Sequence, residues 1–142
     1  VQDIKSLLPH REPFLYVDRL EKADAAEIVG YKRFTPEEYF FKGHFPEYPV
    51  VPGVILLETM AQCGGAGVAA SGQLGDSLFF FASADKVKFR TQVRPGDEVK
   101  LVITNLKVSR IAIKQSGKAY VGDKVAAEAE WLCMVSPKDK LK

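Results

Sequence analysis

The apolar residues of this chain follow two regimes: one long uninterrupted apolar run in the middle, and alternating positions after it. From Tyr48 to Gly75, 28 residues carry a single charge, Glu58. Pro49 and Pro52 exclude regular helix from the opening of that run, whereas Gly53 to about Ser71 is rich in Ala, Leu, Met and Gln and predicts one long helix. Its apolar residues lie on every face, which predicts burial in a core or passage through a membrane. About nineteen residues is marginal for a span, Gly64, Gly65 and Gly67 dilute the hydrophobicity, and a central acid would cost about 2.5–3.5 kcal/mol. A buried central helix is therefore the prediction, with no membrane partner.

Beyond it, Leu78 to Arg90, Glu98 to Val108, Ile111 to Val121 and Lys124 to Val135 read as antiparallel strands. Turn signals at Arg94-Pro95-Gly96-Asp97 and Val121-Gly122-Asp123-Lys124 separate them. In the last strand Ala127, Ala129, Trp131, Cys133 and Val135 share one face and Glu128 and Glu130 take the other, the pattern of a sheet with one face on a core and one in water. Upstream, Asp3 to Leu8 predicts a short helical turn, Pro13 to Val17 the entry to a first strand, and Ala26 to Phe34 a second strand with a bulge or bend at Gly30. Thr35, Pro36 and Glu38 have the spacing of an N-cap, a first helical position and a capping-box acid, opening a short helix that Gly43 ends. One long helix and about six strands make an α+β domain over residues 1–142, a curved antiparallel sheet of about six strands wrapped around one central helix. An edge strand this apolar invites pairing with a second copy, as in a homodimer with a continuous sheet.

Composition narrows the function classes. With 142 residues, 46% of them hydrophobic, the chain has material for one core and is neither disordered, collagen-like nor a disulfide scaffold. A net charge of +2, from 20 basic and 18 acidic residues, argues against a general nucleic-acid binder. The average conceals an asymmetry: residues 1–85 carry seven basic and twelve acidic groups, residues 86–142 thirteen and six. Cys63 and Cys133 stand alone in apolar surroundings, which points to a reducing compartment and away from a thiolate metal site. No basic-then-apolar leader opens the chain, so the cytoplasm is the expected location, or an organelle such as a plastid if a leader has been removed ahead of Val1.

Few residues are candidates for chemistry. His44, in the stiff Gly43-His44-Phe45-Pro46 loop, reads either as a positioned general base or as a surface histidine packed on Phe45. His10, in Pro9-His10-Arg11, reads as structural. Glu58 is the most informative: an ionised carboxylate in such a helix costs several kcal/mol unless it is neutralised, paired or facing a pocket. Gln62, one turn on, shares its face and can hold its rotamer. Gly53 opens the helix after Pro52, so its N–H has no partner within the helix and either binds an oxyanion or is capped by water or a loop. Glu58 is rotated about 140° from Gly53 around the helix axis. If the two act with His44, the simplest arrangement takes the carboxylate from a second subunit. Lys86, Lys88, Arg90 and Arg94 are spaced to share one strand face, read either as a solvated face or as a docking surface for an acidic macromolecule.

Leu8-Pro9-His10-Arg11-Glu12-Pro13-Phe14-Leu15-Tyr16-Val17-Asp18-Arg19, Phe41-Lys42-Gly43-His44-Phe45-Pro46, Pro52-Gly53-Val54 and Leu57-Glu58-Thr59-Met60-Ala61-Gln62 together resemble the FabZ-type (3R)-3-hydroxyacyl-acyl-carrier-protein dehydratases of type II fatty acid synthesis. The likeness continues through Asp85 to Arg90, Arg94-Pro95-Gly96-Asp97 and Val125 to Glu130, in order and at the family's spacing. It implies a hotdog fold, a homodimer with two interfacial sites, and often a trimer of dimers. It also implies that His44 removes a C2 proton, that Glu58 of the partner subunit helps expel the 3-hydroxyl as water, and that the Gly53 amide polarises the thioester carbonyl. No metal or redox cofactor is implied; the acyl chain arrives on an acidic acyl carrier protein, for which the basic strand is the expected dock. Tyr39 stands where the family usually has proline, and Ala84 where isoleucine is common, a change with consequences for chain length if that position lines the acyl tunnel. The alternatives are a bifunctional dehydratase that also isomerises trans-2 to cis-3 enoyl thioesters, a hotdog thioesterase, and a non-catalytic carrier-binding module.

Overall fold

Alternation in the second half of the chain produces a sheet, and the central apolar run produces the helix that fills it. The computed structural model describes residues 3–141; residues 1, 2 and 142 of the expected domain lie outside the described residues. In chain order the elements are α1 (Ile4–Leu7), β1 (Arg19–Ala23), β2 (Glu27–Arg33), a 3₁₀ turn (Tyr39–Lys42), α2 (Gly53–Ala70), β3 (Ser77–Phe89), β4 (Glu98–Val108), β5 (Ala112–Val121), β6 (Lys124–Pro137) and a closing 3₁₀ turn (Lys138–Leu141). The strands form one antiparallel sheet in the order β1-β2-β4-β5-β6-β3, so β1 and β3 are its edges. With α2 seated against it, this is the hotdog arrangement.

By length and hydropathy α2 passes for a membrane span, but most of it, from Ile55 to Val68, is buried under the sheet. Leu56, Met60, Cys63 and Ala66 share one buried core with Ile28, Leu101, Ile103, Ala129 and Trp131 of the sheet. The glycines of α2 allow this approach: a Cβ at Gly67 would run into Ile28, and one at Gly64 into Gln115. Gln115 is itself buried and satisfied. The Trp131 indole N–H donates to its Oε1 at 3.0 Å, while its Nε2 donates to the Gly64 carbonyl at 3.2 Å and to Asn105 Oδ1 at 2.8 Å. A buried polar network of this kind tolerates one helix position better than its neighbours, and so sets where Glu58 lies along the sheet.

Three sequence expectations shift. The segment from Pro13 to Val17 does not enter a strand; β1 begins only at Arg19, because the Phe14 carbonyl and the Tyr16 N–H are claimed by the Gln62 side chain. The bulge expected at Gly30 lies opposite it, on β1, where Glu21 is the extra residue between the Leu20 and Lys22 pairings. The capping-box contact forms, with the Thr35 N–H donating to Glu38 Oε2 at 3.3 Å, yet the Glu38 backbone is extended (φ −57°, ψ 132°) and the following turn is 3₁₀, starting at Tyr39. There the Glu38 carboxylate also meets Lys32 Nζ at 3.1 Å, a largely buried pair.

Candidate active site

Glu58 lies on the second turn of α2, one turn before Gln62, and the i, i+4 spacing brings the Gln62 Nε2 to 2.8 Å from Glu58 Oε2. Gln62 is only 2% exposed, and every polar atom it has is used. Its Nε2 also donates to the Phe14 carbonyl at 2.9 Å, and its Oε1 accepts the Tyr16 N–H at 2.8 Å. The 14–16 segment thereby straps Gln62, and Gln62 fixes the carboxyl. Burial raises the Glu58 pKa above the usual carboxylate range, and the Gln62 hydrogen bond offsets part of that rise. A small apolar pocket opens against the carboxyl between α2, β3 and β6, walled by Phe79, Phe81 and Cys133. The Cys133 thiol is pushed up to about 11 by burial and by the Glu58 charge, so it stays neutral there. A carboxyl whose pKa is raised beside an apolar pocket is suited to deliver a proton to a leaving oxygen.

Replacing Gln62 with leucine removes all three contacts and leaves the Tyr16 N–H and the Phe14 carbonyl without partners. The expected cost is about 1–3 kcal/mol per unsatisfied buried group, read as a lower denaturation midpoint, together with a fall in turnover as the Glu58 carboxyl loses its fixed rotamer.

His44 follows the 3₁₀ turn, whose carbonyl at Phe40 accepts the His44 N–H at 2.9 Å. Its Nδ1 lies 3.1 Å from the Val50 carbonyl. A carbonyl only accepts, so Nδ1 carries a proton and in the neutral ring Nε2 holds the lone pair, the tautomer a general base requires. Next to it Phe45 adopts φ 51°, a left-handed conformation uncommon outside glycine, and its ring leans on the imidazole with centroids 4.3 Å apart. His44 does not line the pocket that Glu58 faces in the same chain.

Gly53 is the first residue of α2, and no side chain caps the helix start. The ring of Phe89 lies over it, with a Cβ at that position predicted to come within 2.9 Å of the ring, so only glycine admits this approach. Its N–H is thus an uncapped donor at the positive end of an 18-residue helix.

The basic residues divide. Lys86 and Arg90 lie beside Glu130 and Glu128 on the outer side of the sheet, at 3.2 and 3.1 Å, and Lys88 pairs in register with Glu128. Arg94 does not share that face. It falls in the loop after β3, where its guanidinium sits 4.2 Å from the centroid of the Tyr48 ring, beside the loop that carries His44. The strand ends at Phe89, so an even residue spacing no longer implies a common face at position 94. Among the described residues no group of His, Cys, Asp and Glu side chains converges to hold a metal ion.

One residue the sequence reading set aside as structural stands at this site. The Nε2 of His10 is 3.7 Å from Glu58 Oε2, and its ring stacks with Phe14 at 6.3 Å. No period or local motif links residue 10 to residue 58; only the strap over Gln62 brings them together.

Residues 8–130 match the FabA-like domain. The chain is 43% identical over 140 residues to the 3-hydroxyacyl-[acyl-carrier-protein] dehydratase FabZ of Clostridium kluyveri, covering 98% of this chain and 97% of that protein. It is 42% identical over 139 residues to the FabZ of Desulforamulus reducens, covering 97% and 98%. Among solved structures, a chain of the dehydratase heterocomplex ApeI:P from Xenorhabdus doucetiae superposes with a TM-score of 0.84 at 15% identity, covering 99% of this chain and 95% of that one. A hypothetical thioesterase from Streptococcus pneumoniae, solved with coenzyme A, does so at 0.64 and 12%, covering 94% and 91%. These distant structures share the fold; the family rests on the near-full-length sequence identity. The chain belongs to the FabA-like family, among the FabZ-type 3-hydroxyacyl-[acyl-carrier-protein] dehydratases.

Proposed function

We propose that the chain dehydrates (3R)-3-hydroxyacyl-acyl-carrier-protein to the trans-2-enoyl form during fatty acid elongation, as one hotdog domain acting in a homodimer. The observation that carries the chemistry is Glu58, a partly buried carboxyl with a raised pKa, clamped by Gln62 beside an apolar pocket. His44 takes the C2 proton at Nε2, and the C–H electron pair becomes the C2–C3 double bond as the C3–O bond breaks. The oxygen leaves with its bonding pair and the Glu58 proton, as water. Charge that builds on the thioester oxygen meets the Gly53 N–H.

The edge strand β3 supports the dimer. It exposes Phe80, Phe81 and Phe89 along an edge with no strand partner among the described residues. Pairing β3 with a second copy covers that edge and brings His44 of one subunit towards Glu58 of the other. A trimer of such dimers is the assembly we infer beyond it. The acyl chain arrives on an acyl carrier protein, and the basic residues Lys86, Lys88, Arg90 and Arg94 are the docking candidates, of which Lys86 and Arg90 also pair with Glu130 and Glu128. The named relatives are bacterial, which supports a cytoplasmic setting over a plastid one.

Incubation with a 3-hydroxyacyl carrier thioester should raise enoyl absorbance, with trans-2 product on isomer analysis; release of free thiol instead would replace this reading with a thioesterase. Charge reversal at Lys88 and Arg90 should lower turnover of carrier-bound substrate and spare the small-thiol thioester. Equal loss on both substrates would remove these residues from the dock.

A further inference from the structure

His10 has three properties that a purely structural histidine does not need. Its Nε2 points at the Glu58 carboxyl at 3.7 Å. Its Nδ1 is buried and, among the described residues, is the only buried side-chain polar atom without a hydrogen-bond partner. Its backbone is pinned independently of the ring: the Arg11 guanidinium folds back onto the carbonyls of Lys5, Leu8 and His10 at 3.0, 2.8 and 2.7 Å.

The orphaned Nδ1 assigns the tautomer. A buried N–H without an acceptor forfeits a full hydrogen bond, whereas a bare ring lone pair in an apolar site forfeits less. The proton therefore sits on Nε2, facing Glu58. Protonation of both nitrogens is opposed by burial, which lowers the His10 pKa. The other groups packed around the pair leave this arrangement undisturbed. Cys133 on β6 is a neutral thiol, the Tyr16 hydroxyl is 3.1 Å from the Tyr39 hydroxyl, and Arg11 is committed to carbonyls.

We propose that His10 is a positioning residue that acts through Glu58, as a neutral Nε2–H donor to the carboxylate formed when Glu58 gives up its proton. When the C3–O bond breaks, one proton passes from Glu58 to the departing oxygen and a negative charge remains on the carboxyl. Two fixed donors then face Oε2, Gln62 Nε2–H and His10 Nε2–H. The 3.7 Å separation is that of a contact still to close, and catalytic hydrogen bonds commonly shorten once charge develops. His10 neither accepts nor loses a proton in this step. It lowers the energy of the carboxylate relative to the acid, and so makes Glu58 a better proton donor.

This inference rests on the dehydratase reading, and one experiment separates the two. Turnover of a 3-hydroxyacyl thioester is followed against pH for the full-length wild type, His10→Leu and His10→Gln. The wild type establishes the reaction; no enoyl product from it refutes the reading itself. His10→Leu should lower kcat by about 10–100-fold with little change in KM, because one donor to the developing charge is gone. It should also move the alkaline limb of kcat upward by about one pH unit, since the carboxyl loses a partner that favours its charged form. His10→Gln, which carries an N–H donor at similar reach, should recover most of the rate and return the limb. A wild-type limb position in a folded His10→Leu protein, or equal loss in Leu and Gln variants, overturns the proposal.

Discussion

Mixing His44→Ala subunits with Glu58→Gln subunits should produce activity that neither variant has alone. Each homodimer would lack one of the two groups proposed to transfer protons, and the loss expected from either substitution is about 10²–10⁴-fold in kcat, the usual weight of a positioned acid or base. The Glu58 pocket has no His44 of its own chain in its walls, and the exposed β3 edge offers a way for the second copy to bring one. In a mixed dimer one site combines the intact His44 of one subunit with the intact Glu58 of the other. The second site has neither. Random exchange makes half the dimers mixed, each with one working site, so recovery should approach about one quarter of wild-type activity. Dissociation and reassociation of the two proteins, followed by the enoyl absorbance assay, measures it. No recovery in demonstrably mixed dimers would place both groups in one chain. His44→Ala and Glu58→Gln should keep the fold, because His44 makes one side-chain contact to a carbonyl and glutamine retains hydrogen bonding to Gln62.

Blocking the β3 edge should abolish turnover without unfolding the chain. Ala82 falls in the register shift between Phe81 and Ser83, where it has no partner on β6, and it is exposed. A proline there spares the intramolecular ladder, and a lysine at Phe80, 47% exposed in one chain, adds a charge to the edge. The Phe80→Lys, Ala82→Pro double variant is expected to elute as a monomer, to melt cooperatively, and to have activity no greater than His44→Ala. A monomer with wild-type turnover would mean that one chain contains a complete site. The substitutions avoid Phe81 and Cys133, which wall the Glu58 pocket, so a lost activity reports on assembly.

How far the molecule was legible from sequence differs from element to element. The buried helix was legible because 28 residues with one charge cannot remain in water, and the alternating β6 because its acids and its apolar residues must face opposite media. Residues 13–17 misled: their composition is that of a strand, but two of their backbone groups bond a glutamine side chain 46 and 48 residues away. Tertiary hydrogen bonds of that range leave no local period. The glycines of α2, which on hydropathy alone only weakened a membrane span, turned out to be the contact surface of the helix with Ile28 and Gln115.

Sequence by itself determined that the chain has one apolar helix with a costly acid at its second turn and Gln62 one turn beyond it, an alternating sheet after it, and a family likeness that names His44, Gly53 and Glu58. Those features follow from burial and periodicity, which act along the chain. Tertiary structure alone decided which atoms carry protons: the Val50 carbonyl fixes the His44 tautomer, and the 14–16 strap fixes Gln62 and with it Glu58. It alone brought His10 to Glu58 and separated Arg94 from the other three basic residues. Protonation and side-chain pairing depend on distances of a few ångströms between segments far apart in the chain, and only the packed fold sets those distances.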